Sequence, residues 1–168
     1  MRRAAAEFGD FSAATRWYKE SLALSRQLGR TVAIAIALQN LGHMAHHLGD
    51  RAQAVARFQE SLVSAREQGS KNLTGMALVG LARVAAAEGQ ALPAAAAQEQ
   101  AVRAARLLGA ADVLLEAVGV PMDGNDRAEY ERAVADARAQ LGDDAFAAAV
   151  AAGRAMALDE VIALAMAD

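Results

Sequence analysis

LQNLGHMAHHLGDRAQAVARFQESLVSAREQG, residues Leu38 to Gly69, is the one complete copy of a unit that recurs along this chain. The reading Leu38, Leu41, Gly42, Ala45, then Gly49-Asp50, then Ala54 and Phe58 describes two helices joined by a tight turn. An incomplete copy lies upstream and a degraded one downstream, both at a spacing of 40 residues. Gly9-Asp10, Gly49-Asp50 and Gly89-Gln90 fall at equivalent points, as do Gly29, Gly69 and Gly109. Each half-unit is therefore expected to be a helix closed by a glycine, the residue that accepts a left-handed turn.

Laying the copies over one another identifies the packing positions. Leu38, Leu41, Gly42 and Ala45 align with Leu78, Leu81, Ala82 and Ala85; Ala14 aligns with Ala54 and Ala94, and Tyr18 with Phe58 and Gln98. Small residues at Gly42 and Ala54 let paired helices approach, and Phe58 fills the space beside them. The predicted helices run over 10–28, 30–48, 50–68, 71–88 and 92–108, Pro93 being tolerated in a first turn. Asp50 is expected to cap its helix, with Gln53 completing a capping box. Residues 1–8 read as the end of a helix, so the chain is expected to open inside a repeat.

After a short predicted helix, Ala110 to Val118, closed by Gly119-Val120-Pro121, the period disappears. Asp123 to Leu141 is expected to be amphipathic, with Tyr130, Val134, Ala137 and Leu141 inward and Arg127, Glu131, Arg132 and Asp136 elsewhere. Helices over 143–152 and 158–166 follow, behind Gly142 and Gly153. The expected division is repeats over 1–118 and a C-terminal helical cap over 119–168.

Bulk properties narrow the function classes. Of 168 residues, 55% are hydrophobic but only 4% aromatic, so alanine carries much of the apolar content and favours many local contacts over one deep centre. A net charge of −3 offers no basic footprint for nucleic acid, and the absence of cysteine suits the cytoplasm. Thr31 to Gly49 lacks charged residues and nearly has spanning length. Gln39, Asn40, His43, His46 and His47 within it make a buried soluble helix the better reading.

The L-x-x-L-G-x-x-A, G-D, A-x-x-x-F series resembles the tetratricopeptide repeat, in the longer-period versions whose helices are extended. Gln98 departs from the pattern by replacing the aromatic. The resemblance implies an all-α, right-handed solenoid of helix hairpins in which the first helix of each pair lines the concave side. The ending RLLGAADVLLEAVGVPMDGNDRAEYERAVADARAQLGDDAFAAAVAAGRAMALDEVIALA, from Arg106 to Ala165, resembles the C-terminal sensor region of bacterial signal-transduction ATPases and transcriptional regulators. That likeness implies the tail of a larger protein, although no phosphate-binding loop or helix-turn-helix is visible here.

His43-Met44-Ala45-His46-His47 is the only constellation that could carry chemistry. His43 and His47 share a helix face, but no acidic residue on that helix completes a metal site, so polar groups on the inner face are the plainer reading. Asp143-Asp144 and Asp159-Glu160 suit helix starts, and the ladder Arg26, Arg66, Arg106 suits helix ends. No nucleophile arrangement is visible, so a histidine-centred metal-dependent enzyme ranks behind a non-enzymatic scaffold, and behind a structural cap or self-association module without ligand. The scaffold reading places partner binding on Gln39, His43, His46, His47, Met76, Val79 and Arg83, with no cofactor and no metal. Arg3, His43 and Arg83 would form a row open to an anionic group. Its partners would be a protein or peptide, or upstream domains of the same protein, with no nucleic acid and no membrane. Self-association through the N-terminal open end is a further option.

Overall fold

The computed structural model describes residues 11–89 and 92–167; within them the chain forms eight helices and no strand. They are α1 (Phe11–Gln27), α2 (Thr31–His47), α3 (Arg51–Glu67), α4 (Lys71–Gly89), α5 (Ala94–Val118), α6 (Gly124–Leu141), α7 (Asp143–Ala155) and α8 (Leu158–Met166). Hairpins α2–α3 and α4–α5 stack side by side, with α1 against α2, giving the expected all-α solenoid. Arg3, Gly9-Asp10 and Gln90 lie outside the described residues.

The turns between α1, α2, α3 and α4 repeat one device. Gly29, Gly49 and Gly69 have φ of 61°, 78° and 64°, and the residues after them, Arg30, Asp50 and Ser70, donate their N–H groups to the carbonyls of Ser25, Ala45 and Ala65. This satisfies carbonyls that the helix end would otherwise leave unpaired. It also corrects the capping-box expectation. The Asp50 carboxylate accepts from Gln53 N–H at 3.0 Å, but the Asp50 N–H that Gln53 would have accepted is committed to Ala45.

Phe58 is the wedge of the stack. Projecting from α3, it is 1% exposed and sits between two glycines, Gly42 on α2 and Gly80 on α4. A Cβ on Gly42 would come within 2.8 Å of the ring, and one on Gly80 closer still. Close approach of α2, α3 and α4 thus depends on backbone meeting a ring face. Ser61, one turn on, buries its hydroxyl by donating to Ala35 O at 3.0 Å.

Two further expectations are corrected. Gly109 does not end a helix: α5 runs unbroken from Ala94 to Val118, and the left-handed residue is Gly119 at φ 67°. Gly109 instead lacks a side chain because the Val150 carbonyl of α7 occupies the place where a Cβ would project. Gly153 likewise lies within α7, against the Arg106 carbonyl, and that helix continues to Ala155. This paired contact is a backbone-to-backbone crossing of α5 and α7. Ala133, Ala137, Phe146, Ala149, Val161 and Ala165 from α6–α8 belong to the same apolar core as Phe58, Leu78, Leu81 and Leu107. No helix of the described residues is long and apolar enough to cross a membrane.

Candidate partner-binding groove

α2 and α4 form the wall to which the inner-face residues were assigned, and α6 lies across it. Glu129 of α6 reaches both helices: its Oε1 is 3.4 Å from His47 Nε2 on α2, and its Oε2 is 3.5 Å from Arg83 Nε on α4. Two and three turns further along α6, Asp136 Oδ2 accepts from Arg83 Nη1 at 2.7 Å, and Gln140 Nε2 donates to Ala86 O at 2.8 Å. A helix that continued the stack would touch only the last pair. This one crosses back to the hairpin before it.

The seven assigned residues therefore fall into separate settings. Gln39, His43 and Met76 line a cavity of about 400 Å³ beyond the N-terminal end of α6, together with Ile36, Asn40 and Asn72; Asp123 and Asp126 form its far rim. Gln39 ties its two walls together by donating to Leu73 O at 2.8 Å. His43 is nearly buried, its ring edge-on to Phe58 with centroids 5.0 Å apart. Val79 is buried in the core. Arg83 and His47 are engaged by α6, and His47 also stacks on Phe11 with centroids 4.9 Å apart. His46 lines a second cavity of about 300 Å³ with Arg51, Val84 and Glu88. The expected open row is thus interrupted: the anions facing Arg83 come from the same chain.

Glu129 is 2% exposed, an unusual burial for a carboxylate. Burial alone would raise its pKa, but contact with His47 and the charges of His43, His47 and Arg83 outweigh it and hold the group at about 2. Arg132, one turn on, adds a hydrogen bond to Oε1 at 2.8 Å. His46 shifts down from its ordinary value, chiefly through burial and then the charges of Arg83 and His47. Among the described residues, no group of three or more His, Asp or Glu side chains is arranged to hold a metal ion.

Residue-level reading missed Glu129 and Asp136 as groove residues because they lie off the apolar stripe read for α6. The structure buries Glu129, Ala133 and Ala137, leaving Tyr130, Val134 and Leu141 half-buried beside them. A carboxylate in a buried stripe becomes intelligible only once the cations across the groove are known. Several of the other charged residues named from the sequence have partners. Arg26 pairs with Glu60 and Arg66 with Asp159, while the Glu160 carboxylate accepts from the Ala157 N–H at 2.9 Å. Behind the groove, Arg154 makes a two-point contact with Glu116 at 2.9 and 2.7 Å, and Tyr130 donates to Asp112 at 2.7 Å. These contacts fasten α6 and α7 to α5.

No curated protein matches the chain. Residues 32–106 match the family model of the tetratricopeptide repeat, the span that holds α2, α3, α4 and the first half of α5. Over that span the hairpins that wall the groove are similar to tetratricopeptide repeats.

Proposed function

We propose that this module is a non-enzymatic interaction scaffold that binds a protein or peptide segment at the inner face of its repeats. Tetratricopeptide repeats over 32–106 support protein binding as the general role. The observation that carries the site is the cavity of about 400 Å³ where Gln39, His43 and Met76 meet Ile36 and Asn72. Amide side chains and an apolar floor in one concavity suit a segment that offers both backbone polar groups and an apolar anchor. Ile36 is 44% exposed at its edge, so that anchor has an apolar contact already in place. Residues 119–168 act in this reading as the cap of the solenoid. The wider setting we propose is the C-terminal sensor region of a larger bacterial regulatory ATPase in the cytoplasm, which rests on the likeness of residues 106–165 to such regions.

Selection of a displayed random-peptide library on the 168-residue chain tests the site. Selected peptides should lose about tenfold or more in affinity with Ile36→Asp or Gln39→Ala, changes at an edge position and a half-buried position. Unchanged affinity for both variants would move the site off the inner face. The wider setting is checked by the genomic reading frame, which should encode a nucleotide-binding module upstream.

A further inference from the structure

We infer that α6 occupies the place of a partner helix, and that the partner this groove fits is an acidic helix presenting two carboxylates two turns apart. The inference rests on the scaffold reading and names its partner class.

The chemistry is written along one face of α6. Glu129, Ala133, Asp136, Ala137 and Gln140 follow helical spacing, and this face meets Arg83, His47 and the Ala86 carbonyl. Alanines between the carboxylates allow the helix to lie close, while the carboxylates meet the Arg83 guanidinium on one hairpin and the His47 imidazole on the other. A neutral helix in the same place would leave the largely covered Arg83 side chain without a carboxylate partner, so the groove discriminates by charge.

α6 is held chiefly by polar contacts, with Tyr130 bonded to Asp112 and Tyr130, Val134 and Leu141 only half-buried against the core. Its fully buried side chains are Glu129, Ala133 and Ala137, whereas α7 buries Phe146 and locks against α5 through Gly109 and Gly153. The flanks suit release: residues 119–123 form a non-helical link that is mostly exposed, and Gly142 joins α6 to α7 at a left-handed φ of 77°. Elements with little buried apolar surface open at lower free energy than the core around them. An acidic helix offered in trans therefore competes with α6 for Arg83 and His47, and α6 sets the threshold for binding.

The probe is a synthetic peptide of residues 121–142 bearing a fluorophore, titrated into the full 168-residue chain. A chain carrying Glu129→Gln and Asp136→Asn in its own α6 should bind the peptide at least tenfold more tightly than the native chain. Adding Arg83→Gln should remove that gain, and a peptide with the same two neutral substitutions should not bind. Equal peptide affinity in native and doubly substituted chains overturns the inference. Should the doubly substituted chain fail to fold, hydrogen exchange on the native chain decides. Exchange of 124–141 while α4 and α5 stay protected supports it, and exchange of all three in one event overturns it. Library peptides that still depend on Ile36 and Gln39 while the α6 peptide fails to compete would preserve the scaffold reading and end this one.

Discussion

At the scale of single residues, two side chains carry most of the consequence. Phe58 rests on Gly42 and Gly80, neither of which has a side chain that could relax into a void. Phe58→Ala should therefore cost roughly 3–5 kcal/mol in chemical denaturation; a loss below about 1 kcal/mol would mean the ring is not the wedge. Glu129 governs the acid side of stability. Its folded pKa of about 2 lies below the ordinary glutamate value, so its stabilisation is complete above about pH 4.5 and disappears as pH falls toward 2. His46, whose pKa is also depressed, contributes stability above pH 6.5 that declines on acidification below it. Unfolding measured at pH 7, 5 and 3 should show both limbs in the native chain, the lower one worth roughly 3 kcal/mol at most. In Glu129→Gln that lower limb should be missing, and the chain should be less stable at pH 7 because Arg83 loses one of its two carboxylate partners.

At the scale of elements, α5 shows how one residue type serves two ends. The glycines at 29, 49 and 69 terminate helices, whereas Gly109, at the position equivalent to Gly29 and Gly69, sits within α5 and admits the backbone of α7. In an isolated helix, Gly to Ala is favourable by about 1 kcal/mol. Here the methyl would meet the Val150 carbonyl, so Gly109→Ala should destabilise by more than about 1 kcal/mol and raise hydrogen exchange in α7. Gly124, at the start of α6, has open space where its Cβ would lie. Gly124→Ala should be neutral or slightly stabilising, and equal effects at the two positions would contradict the crossing of α5 and α7.

At the scale of the molecule, α6–α8 complete the core that the two hairpins begin. Phe146, Val161 and Ala165 cluster with Leu107, Leu108 and Leu115 of α5, and the end of α8 is held by Gln59 and Arg103, both donating to the Ala165 carbonyl. A chain truncated after Val118 would present that apolar face to water, and faces of this kind drive association. It should therefore elute as oligomers or aggregate in size-exclusion chromatography; a monomeric, soluble chain of native stability would show that residues 119–168 are not a cap.

What the amino-acid sequence determined by itself was whatever closes within one hairpin. The period of 40, the turns at Gly29, Gly49 and Gly69, and the inward placement of Phe58 against Gly42 all depend on residues close in sequence or repeated in register. Gln39, His43 and Met76 could be read as neighbours for the same reason, since the repeat stacks α2 beside α4. Only the tertiary structure decided that Gly109 lies inside a helix, that α6 crosses the groove, and that Arg83 already faces Glu129 and Asp136. Each depends on a contact between distant segments outside the repeat. Such contacts impose no period, and a buried carboxylate makes physical sense only where folding has brought cations to meet it.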